Sequence, residues 1–449
     1  MSKQYKLKRG LDIKIAGTAN TGVELASETK TVALKPTDFA GLTPKLCVKA
    51  GDAVKAGSVL FFDKYHPEIL FTSPVSGTIK EIVRGDRRKV LEIVVEANGL
   101  DEKISFEKHN PENMSRENLI DLLLKSGLWT FVKQRPYGCL ANSTETPKHI
   151  FISGFDSNPL GVDHEFIYRE ELKTIQLAIT ALGKLTSGKI YFGLPGKTSS
   201  IFESLKNVEF NTFEGAHPAG NVGIQIHHVS PINKGERVWT LSVQALVYIG
   251  RLLATGELDM SKVVALSGSE VSSPKYYRTV HGASIASLVN GKTKKAGNER
   301  IISGTILTGT KVDASGYLGY FDQSICVIPE GDDYEFMGWA APGAEKYSAS
   351  CTFLGKLLPK KEYALNANLH GGKRAFVVSG QYEKFLPMDI HPVYLLKAIL
   401  AGDLDKMEQL GLYEVIEEDL ALCEYACTSK INVQDIIRKG IDNMIQELG

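Results

Sequence analysis

The sequence has few cysteines, no excess of charge of either sign and no long apolar run. Its six cysteines lack the spacing of a disulfide framework, which indicates a reducing compartment. Lysine plus arginine and aspartate plus glutamate each number 52, so nothing predicts the basic patch of a nucleic-acid-binding protein. The most apolar helical stretch, Val238 to Leu253, includes Gln244 and Arg251 and is shorter than the ~20 residues that span a bilayer.

The first ten residues also lack the apolar stretch of a secretory signal peptide. With neither a signal peptide nor a transmembrane helix, we expect a cytoplasmic chain that reaches a membrane only through partners. Its 449 residues are enough for three or four domains.

An iron–sulfur ligand set is incomplete near the C-terminus. Cys423 and Cys427 have C-x3-C spacing, and no further thiol follows them. A four-ligand cluster needs four thiolates in a run such as C-x2-C-x2-C-x3-C. The two cysteines are therefore either small buried residues on adjacent helical turns or the remnant of a degenerate cluster.

Residues 1–105 show short β-branched runs separated by turn dipeptides such as Gly51-Asp52 and Ser76-Gly77. This pattern predicts a glycine-cornered β-barrel that resembles biotinyl and lipoyl carrier domains, a barrel-sandwich hybrid. Lys64 follows Asp63 where such carriers attach a prosthetic group, but Tyr65-His66-Pro67 does not match their motifs. A carrier modified at Lys64 is the alternative function.

Residues 106–268 alternate between strands and helices, which predicts a Rossmann-like α/β domain with a mostly parallel sheet. The expected strands include His149–Ser153, Lys189–Phe192, Val222–Ile226 and Val263–Leu266. We expect helices after Ser115, from about Leu172 to Leu182, and from Val238 to Leu253. Residues 269–335 predict a β-grasp (SLBB-like) module, and residues 336–449 a connection and a C-terminal helical domain. The fold class is thus α+β and multidomain.

A glycine-rich phosphate-binding turn is also missing from the α/β part. The segment that begins at Gly127 continues with bulky Leu128, Trp129 and Phe131, which prevent close approach of a pyrophosphate. An aromatic wall followed by Lys133 and Arg135 suits a flat quinone ring with carbonyl oxygens. The alternative is that these aromatic residues fill a vacated site.

His217 lies in the second glycine-rich loop, Glu214–Gly220, which matches no phosphate-binding pattern. His227 and His228 would point to opposite faces of a strand, so we expect no metal site there. The candidate quinone-contacting residues are Trp129, Phe131, Lys133, Arg135 and His217. We assign no catalytic, metal or cofactor-binding residues.

Five segments together carry a family resemblance over essentially the whole chain: Val48–Ile82, Glu214–Gly220, Arg278–Ser284, Pro387–Ile390 and Glu417–Cys427. In this order they resemble the A subunits of the sodium-translocating NADH:quinone reductases.

The resemblance implies a peripheral subunit on the cytoplasmic face of the bacterial inner membrane, docked on membrane-embedded subunits, in particular the B subunit. It implies that flavins, a 2Fe-2S centre and the NADH site belong to partner subunits and that quinone is the substrate of the complex. Relatives in other respiratory complexes carry the flavin loop and the cysteine cluster, and both are degenerate here. We therefore expect a chain without a bound cofactor that contributes to quinone interaction and assembly, with no catalysis by the isolated chain.

Overall fold

The computed structural model describes residues 3–196, 199–294, 298–332, 335–357 and 362–448. The strands in these ranges are β1 (Lys3–Lys6), β2 (Asn20–Leu25), β3 (Thr31–Leu34), β4 (Pro44–Leu46), β5 (Ala53–Val54), β6 (Val59–Asp63), β7 (Leu70–Thr72), β8 (Gly77–Arg84), β9 (Val90–Ala97), β10 (Lys133–Arg135), β11 (Cys139–Leu140), β12 (Ile150–Ser153), β13 (Ile190–Pro195), β14 (Glu209–Glu214), β15 (Val238–Ser242), β16 (Ser261–Ser267), β17 (Lys275–Val280), β18 (Glu299–Ser303), β19 (Thr310–Val312) and β20 (Ser324–Pro329). The α-helices are α1 (Arg116–Ser126), α2 (His164–Tyr168), α3 (Leu172–Leu182), α4 (Val222–Val229), α5 (Val243–Thr255), α6 (Ile285–Val289), α7 (Pro392–Ala401), α8 (Leu404–Gln409), α9 (Glu417–Tyr425) and α10 (Val433–Leu448).

Two small antiparallel sheets, β3-β9-β8-β5 and β4-β6-β7, form the predicted N-terminal barrel. Phe61 and Phe71 from one sheet and Ile79 and Ile93 from the other are at most 1% exposed and belong to one apolar cluster. The first residue of β8 is a glycine, Gly77. A Cβ at this position would lie 2.0 Å from a carbonyl oxygen of β9, so a larger residue does not fit. The sequence pattern therefore predicted this fold correctly.

A seven-stranded sheet of order β1-β14-β13-β12-β15-β10-β11 forms the α/β layer, and its first five strands are parallel. Alternate residues of β12 face opposite sides. Ile150 and Ile152 join the cluster that contains α3 and α5, whereas Phe151 packs in a cluster with Ile226 of α4. Helices thus cover both faces of the sheet, as expected for a Rossmann-like arrangement.

Two predicted elements of this layer were wrong. Val222–Ile226 is not a strand but lies in helix α4, which begins after Asn221. The alternation of Val222, Ile224 and Ile226 resembles a strand pattern, although these residues form the first turns of the helix. The third strand is instead β14, whose polar Asn211 and Thr212 hide its pattern.

The predicted single helix from Val238 to Leu253 is strand β15 followed by helix α5. The Ser242 side chain accepts a hydrogen bond from the Ala245 N–H and so caps the helix. Both elements are mostly buried and rich in apolar residues on each side of the junction, so hydrophobicity does not mark where the strand ends and the helix begins.

A six-stranded mixed sheet of order β19-β18-β20-β16-β17-β2 forms the third layer. Strand β16, which the sequence pattern placed with the α/β part, pairs with β17 and β20 in this sheet. The N-terminal strands β1 and β2 also pair outside the barrel, with β14 and β17. The first 25 residues therefore link the second and third layers.

Helices α7 to α10 form the predicted C-terminal helical region around a separate apolar cluster that includes Val393, Leu396, Ile437 and Met444. Within the described ranges, no helix is long and apolar enough to cross a membrane.

Candidate functional site

A cleft of about 700 Å³ opens where the barrel meets the six-stranded sheet. Lys35, Asp38 and Glu92 line it on the barrel side, and Tyr320 and Phe321 line the opposite wall. Its volume lies in the range of small-molecule sites. The cleft is therefore large enough to hold a small-molecule ligand.

Six aromatic side chains at and behind the cleft wall join the three layers and are called here the aromatic junction: Phe39, Phe131, Tyr248, His281, Tyr320 and Phe321. The Tyr320 ring lies 4.7 Å from Phe39, 4.9 Å from Phe131 and 4.2 Å from His281, measured between centroids. Its hydroxyl lies 2.6 Å from the Thr130 hydroxyl. Tyr320 thus connects the cleft wall to the α/β layer.

The Lys133 ammonium lies 3.5 Å from the centroid of the Phe321 ring, on its face. Among the described residues, no carboxylate comes within 4.0 Å of this ammonium. Burial lowers the pKa of Lys133. Asp38 accepts a hydrogen bond from the Tyr320 N–H at 2.7 Å, and burial raises the pKa of this carboxyl although Lys35 opposes the shift.

His281 is fully enclosed by the aromatic junction, and neither ring nitrogen has a hydrogen-bond partner among the described residues. Burial, with a further contribution from nearby Lys262, places the pKa of His281 well below its ordinary value. The ring is therefore neutral at physiological pH. Burial also lowers the pKa of Lys262 to about 8.

Arg135 lies two residues beyond Lys133 but makes different contacts. Its guanidinium donates to Asp419 Oδ2 and to Glu418 Oε1, both at 2.7 Å, and its side chain is 2% exposed. Burial lowers the pKa of Arg135, but the two carboxylates outweigh this and shift it upward. This ion pair joins β10 to helix α9, so Arg135 connects the α/β layer to the C-terminal helices.

Trp129 is completely buried. Its indole N–H donates to the Ala141 carbonyl at 2.8 Å, and its ring meets Trp239 edge-on at 5.4 Å. Gly127 ends helix α1 with φ 79°, and a Cβ there would lie 2.5 Å from the Thr72 hydroxyl. Bulky side chains thus fill this turn, which packs directly on the barrel.

His217 lies in the loop after β14, near the carboxyl ends of the parallel strands. The chain runs outward from β12 through β13 to β14 and then returns to the other side of β12 as β15, so the strand order switches between β12 and β15. Ligands of such sheets bind at this switch point. Here the His217 ring contacts the Ser157 hydroxyl at 3.0 Å, and its backbone N–H donates to Asp12. Burial lowers the pKa of His217 to about 4, despite opposing effects of Asp156 and Asp12.

The structure therefore separates the five predicted quinone-contacting residues. Phe131 and Lys133 lie together behind the cleft. Trp129 packs in the core, Arg135 pairs with α9, and His217 lies in the loop after β14.

Cys423 and Cys427 are free thiols, 1% and 3% exposed, in the apolar cluster of the C-terminal helices. The Tyr382 hydroxyl donates to Cys427 Sγ at 2.9 Å, and Cys423 Sγ lies 3.6 Å from the Tyr382 carbonyl oxygen. Burial raises the pKa of Cys423, so its thiolate is disfavoured.

Three other residues considered from sequence also have clear positions. Lys64 is exposed just after β6, with its ammonium 5.5 Å from the Tyr65 ring centroid. His227 and His228 lie on helix α4 rather than a strand, and His227 pairs with Glu414 at 2.7 Å. No cluster of three or more His, Cys, Asp or Glu that could hold a metal occurs in the part of the chain that the structure describes.

Three family models match successive parts of the chain. They are the NqrA N-terminal barrel-sandwich hybrid domain at residues 5–98, the NqrA second alpha/beta domain at 114–258 and the NQRA C-terminal domain (SLBB) at 263–314.

Full-length relatives agree with these matches. The A subunit of the Na(+)-translocating NADH-quinone reductase of Yersinia pseudotuberculosis serotype O:1b (strain IP 31758) is 40% identical over 98% of this chain and 99% of its own length. The proteins of the same name from Neisseria meningitidis serogroup B and Pasteurella multocida are 39% and 38% identical, with the same coverage.

The chain belongs to the NqrA family, the A subunits of the Na+-translocating NADH-quinone reductases. This confirms the resemblance and the predicted fold class.

Several residues that shape the candidate site in this member of the NqrA family were not predicted from the sequence. Phe39, Tyr320 and Phe321 come from the barrel and the third layer, far in sequence from the Trp129–Arg135 segment. Two of the segments that carry the family resemblance do contain residues of the site or of its supporting ion pair. His281 lies in Arg278–Ser284, and the carboxylates that pair with Arg135 lie in Glu417–Cys427.

Proposed function

We propose that this chain is a peripheral subunit of a sodium-pumping NADH:quinone oxidoreductase. It docks on the membrane-embedded B subunit at the cytoplasmic face of the bacterial inner membrane. Partner subunits hold the NADH site, the flavins and the 2Fe-2S centre, while this chain contributes to quinone interaction and assembly. The names of its relatives support the membership of such a complex.

The quinone interacts with this chain in the cleft between the barrel and the third layer. The observation that carries this proposal is the cation–aromatic pair at the cleft wall. Tyr320 and Phe321 line the cleft, and the Lys133 ammonium lies against the Phe321 ring, behind the lining residues. Aromatic walls offer a flat ring an apolar stacking surface. A cation without a carboxylate partner can donate hydrogen bonds to a carbonyl oxygen, and its attraction increases as that oxygen gains negative charge.

Phe131 supports this site from behind, because its ring stacks on Tyr320 at 4.9 Å. Trp129 and Arg135 support it indirectly. Trp129 fills the turn against the barrel, and Arg135 fixes strand β10, which carries Lys133. His217 is outside this cleft site, since its ring contacts the Ser157 hydroxyl.

The test is titration of the purified full-length chain with a water-soluble short-chain quinone, followed by NMR. We expect saturable binding to the wild type. Phe321→Ala and Lys133→Met should each weaken binding about tenfold, because a desolvated cation or aromatic contact contributes about 1–2 kcal/mol.

Lys45→Met is the matched control. Lys45 also lies over an aromatic ring, Phe62, at 5.5 Å, but on the barrel away from the cleft lining. It should leave quinone affinity unchanged. Absence of saturable binding, or equal affinity in the wild type and both cleft variants, would contradict the proposed site.

A further inference from the structure

One segment concentrates exposed apolar side chains. Of the sixteen large hydrophobic residues that are exposed in the described ranges, eight fall between residues 336 and 378. We call them the apolar loop surface: Phe336, Met337, Trp339, Leu354, Leu357, Leu369, Val377 and Val378. Large apolar side chains mark a contact surface when they are exposed together, and half of those exposed in the described ranges share this one segment.

Local hydrogen bonds hold the most exposed of these residues outward. The Gly338 N–H donates to the Glu335 carbonyl and the Ala340 N–H to the Met337 carbonyl, which makes two consecutive turns. The Lys346 ammonium closes the loop by donating to the Gly338 carbonyl at 2.8 Å and to the Glu335 carboxylate. Phe336 and Trp339 lie on these turns and are 93% and 80% exposed.

The base of the segment is attached to the folded body. The Tyr363 N–H donates to the Lys14 carbonyl, the Ala367 N–H to the Pro329 carbonyl, and the Arg374 N–H to the Ser429 carbonyl. The described parts of residues 335–378 contain no α-helix and no strand. Irregular segments of this length are uncommon in a folded protein and are usually either functional or linkers. The three backbone bonds attach this one to the folded body.

The segment also carries an excess of positive charge. Residues 335–378 contain six Lys or Arg and three Glu, in a chain whose formal net charge is zero. Lys373 and Arg374 are exposed close to the Val377–Val378 pair. Exposed aliphatic side chains and the cations of Lys373 and Arg374 therefore occur together in the last part of the segment.

We propose that the apolar loop surface docks into the headgroup region of an anionic lipid bilayer. Tryptophan, phenylalanine and leucine insert at this depth, while Lys and Arg attract acidic headgroups. We favour a lipid surface over a protein partner because the segment carries an excess of positive charge, which acidic headgroups attract. The inference rests on the proposed peripheral location and places this chain in direct contact with lipid as well as with membrane-embedded subunits.

The tryptophans provide a direct readout. Trp129 and Trp239 are completely buried, so Trp339 is the exposed one of the three. The full-length chain is mixed with vesicles of phosphatidylglycerol and phosphatidylcholine, some with brominated acyl chains, and with vesicles of phosphatidylcholine alone. We expect co-sedimentation and bromine quenching of tryptophan fluorescence with the anionic vesicles, and at least tenfold weaker binding to the neutral ones.

Two variants test the chemistry. Phe336→Ser with Trp339→Ser should weaken vesicle binding about ten- to a hundredfold, since two large apolar side chains no longer enter the bilayer. Lys373→Gln with Arg374→Gln should weaken it about tenfold and reduce its salt dependence. The matched control is Leu100→Ser, at an exposed apolar residue of the barrel edge, which should bind like the wild type.

Absence of binding to anionic vesicles by the wild type overturns the inference, as does equal binding by the Phe336/Trp339 variant. If the wild type binds no vesicles but the assembled complex shields Trp339 from a soluble quencher, the surface contacts a protein and the inference is also wrong. Failure of the chain to join its membrane-embedded partners would instead contradict the proposed function.

Discussion

Lys133 and Arg135 are two cations on the same face of one short strand, yet their surroundings differ. Arg135 makes two 2.7 Å ion pairs with helix α9 and is 2% exposed. Lys133 faces an aromatic ring, and the structure places no carboxylate of its described residues within 4.0 Å of the ammonium. A buried cation requires compensation of its desolvation, which Arg135 receives from two carboxylates, whereas Lys133 is the cation that we propose for quinone contact.

Removal of Arg135 should have the largest effect on stability. Arg135→Ala should lower the free energy of unfolding by about 3–5 kcal/mol, because it leaves the buried Asp419 carboxylate without its partner. Chemical denaturation monitored by circular dichroism measures the change.

The matched control is Arg438→Ala. Arg438 pairs with Glu417 on the same helix α9, but this pair is about one quarter exposed. Arg438 also donates to the Tyr137 carbonyl, but water reaches its pairs, so we expect a smaller loss there, of about 1–2 kcal/mol. Equal losses in the two variants would show that burial does not distinguish the pairs and would remove the basis for treating Arg135 as structural.

Like the two cations of β10, His217 is a buried basic side chain, but burial keeps it neutral. Its folded pKa of about 4 is below the ordinary 6.5, so the unfolded chain binds the proton first as the pH falls. Stability is therefore complete above about pH 6.5 and is lost on acidification toward pH 4, by about 2 kcal/mol at pH 5.

The measurement is the difference in unfolding free energy between about pH 7 and about pH 5, for the wild type and for His217→Asn. The variant should show a smaller difference by about 2 kcal/mol. An identical pH dependence in both proteins would mean that His217 does not stay neutral in the fold.

The sequence predicted the barrel, the doubly covered sheet and the C-terminal helices because each has a local pattern. Glycine corners mark the barrel, Ser115 caps helix α1, and apolar residues from Leu172 to Leu182 recur at helical spacing. It failed at Val222–Ile226 and at the β15–α5 junction, where apolar residues are buried on all sides and periodicity carries no information.

The candidate site was only partly accessible to sequence reasoning, for a different reason. Phe131 and Lys133 belong to one segment that is visibly aromatic and basic. Their neighbours Phe39, Tyr320 and Phe321 come from two other layers, and no local pattern predicts such long-range contacts. The partner of Arg135 was likewise hidden, because 284 residues separate it from Asp419 in the chain.

Tyr320→Phe tests a hydrogen bond between the cleft wall and the α/β layer. It removes the hydroxyl that lies 2.6 Å from the Thr130 hydroxyl while the aromatic contacts with Phe39 and Phe131 remain. We expect a loss of about 1 kcal/mol in unfolding free energy, since Thr130 keeps its bond to the Gly127 carbonyl. Denaturant titration measures it, and a loss as large as that of Arg135→Ala would assign Tyr320 a larger role in joining the domains.

Lys133→Met should give the smallest change in the free energy of unfolding, and its size distinguishes a structural role of Lys133 from a ligand-binding one. Methionine keeps the apolar stem and removes a cation whose pKa is lowered by burial and which no close carboxylate among the described residues compensates. The lost cation–π contact and the relieved desolvation oppose each other, so the free energy of unfolding should change by less than about 1 kcal/mol in either direction. A loss of several kcal/mol in chemical denaturation would show that Lys133, like Arg135, is held for structure. A negligible change combined with weaker quinone binding would assign the two cations of β10 to different tasks.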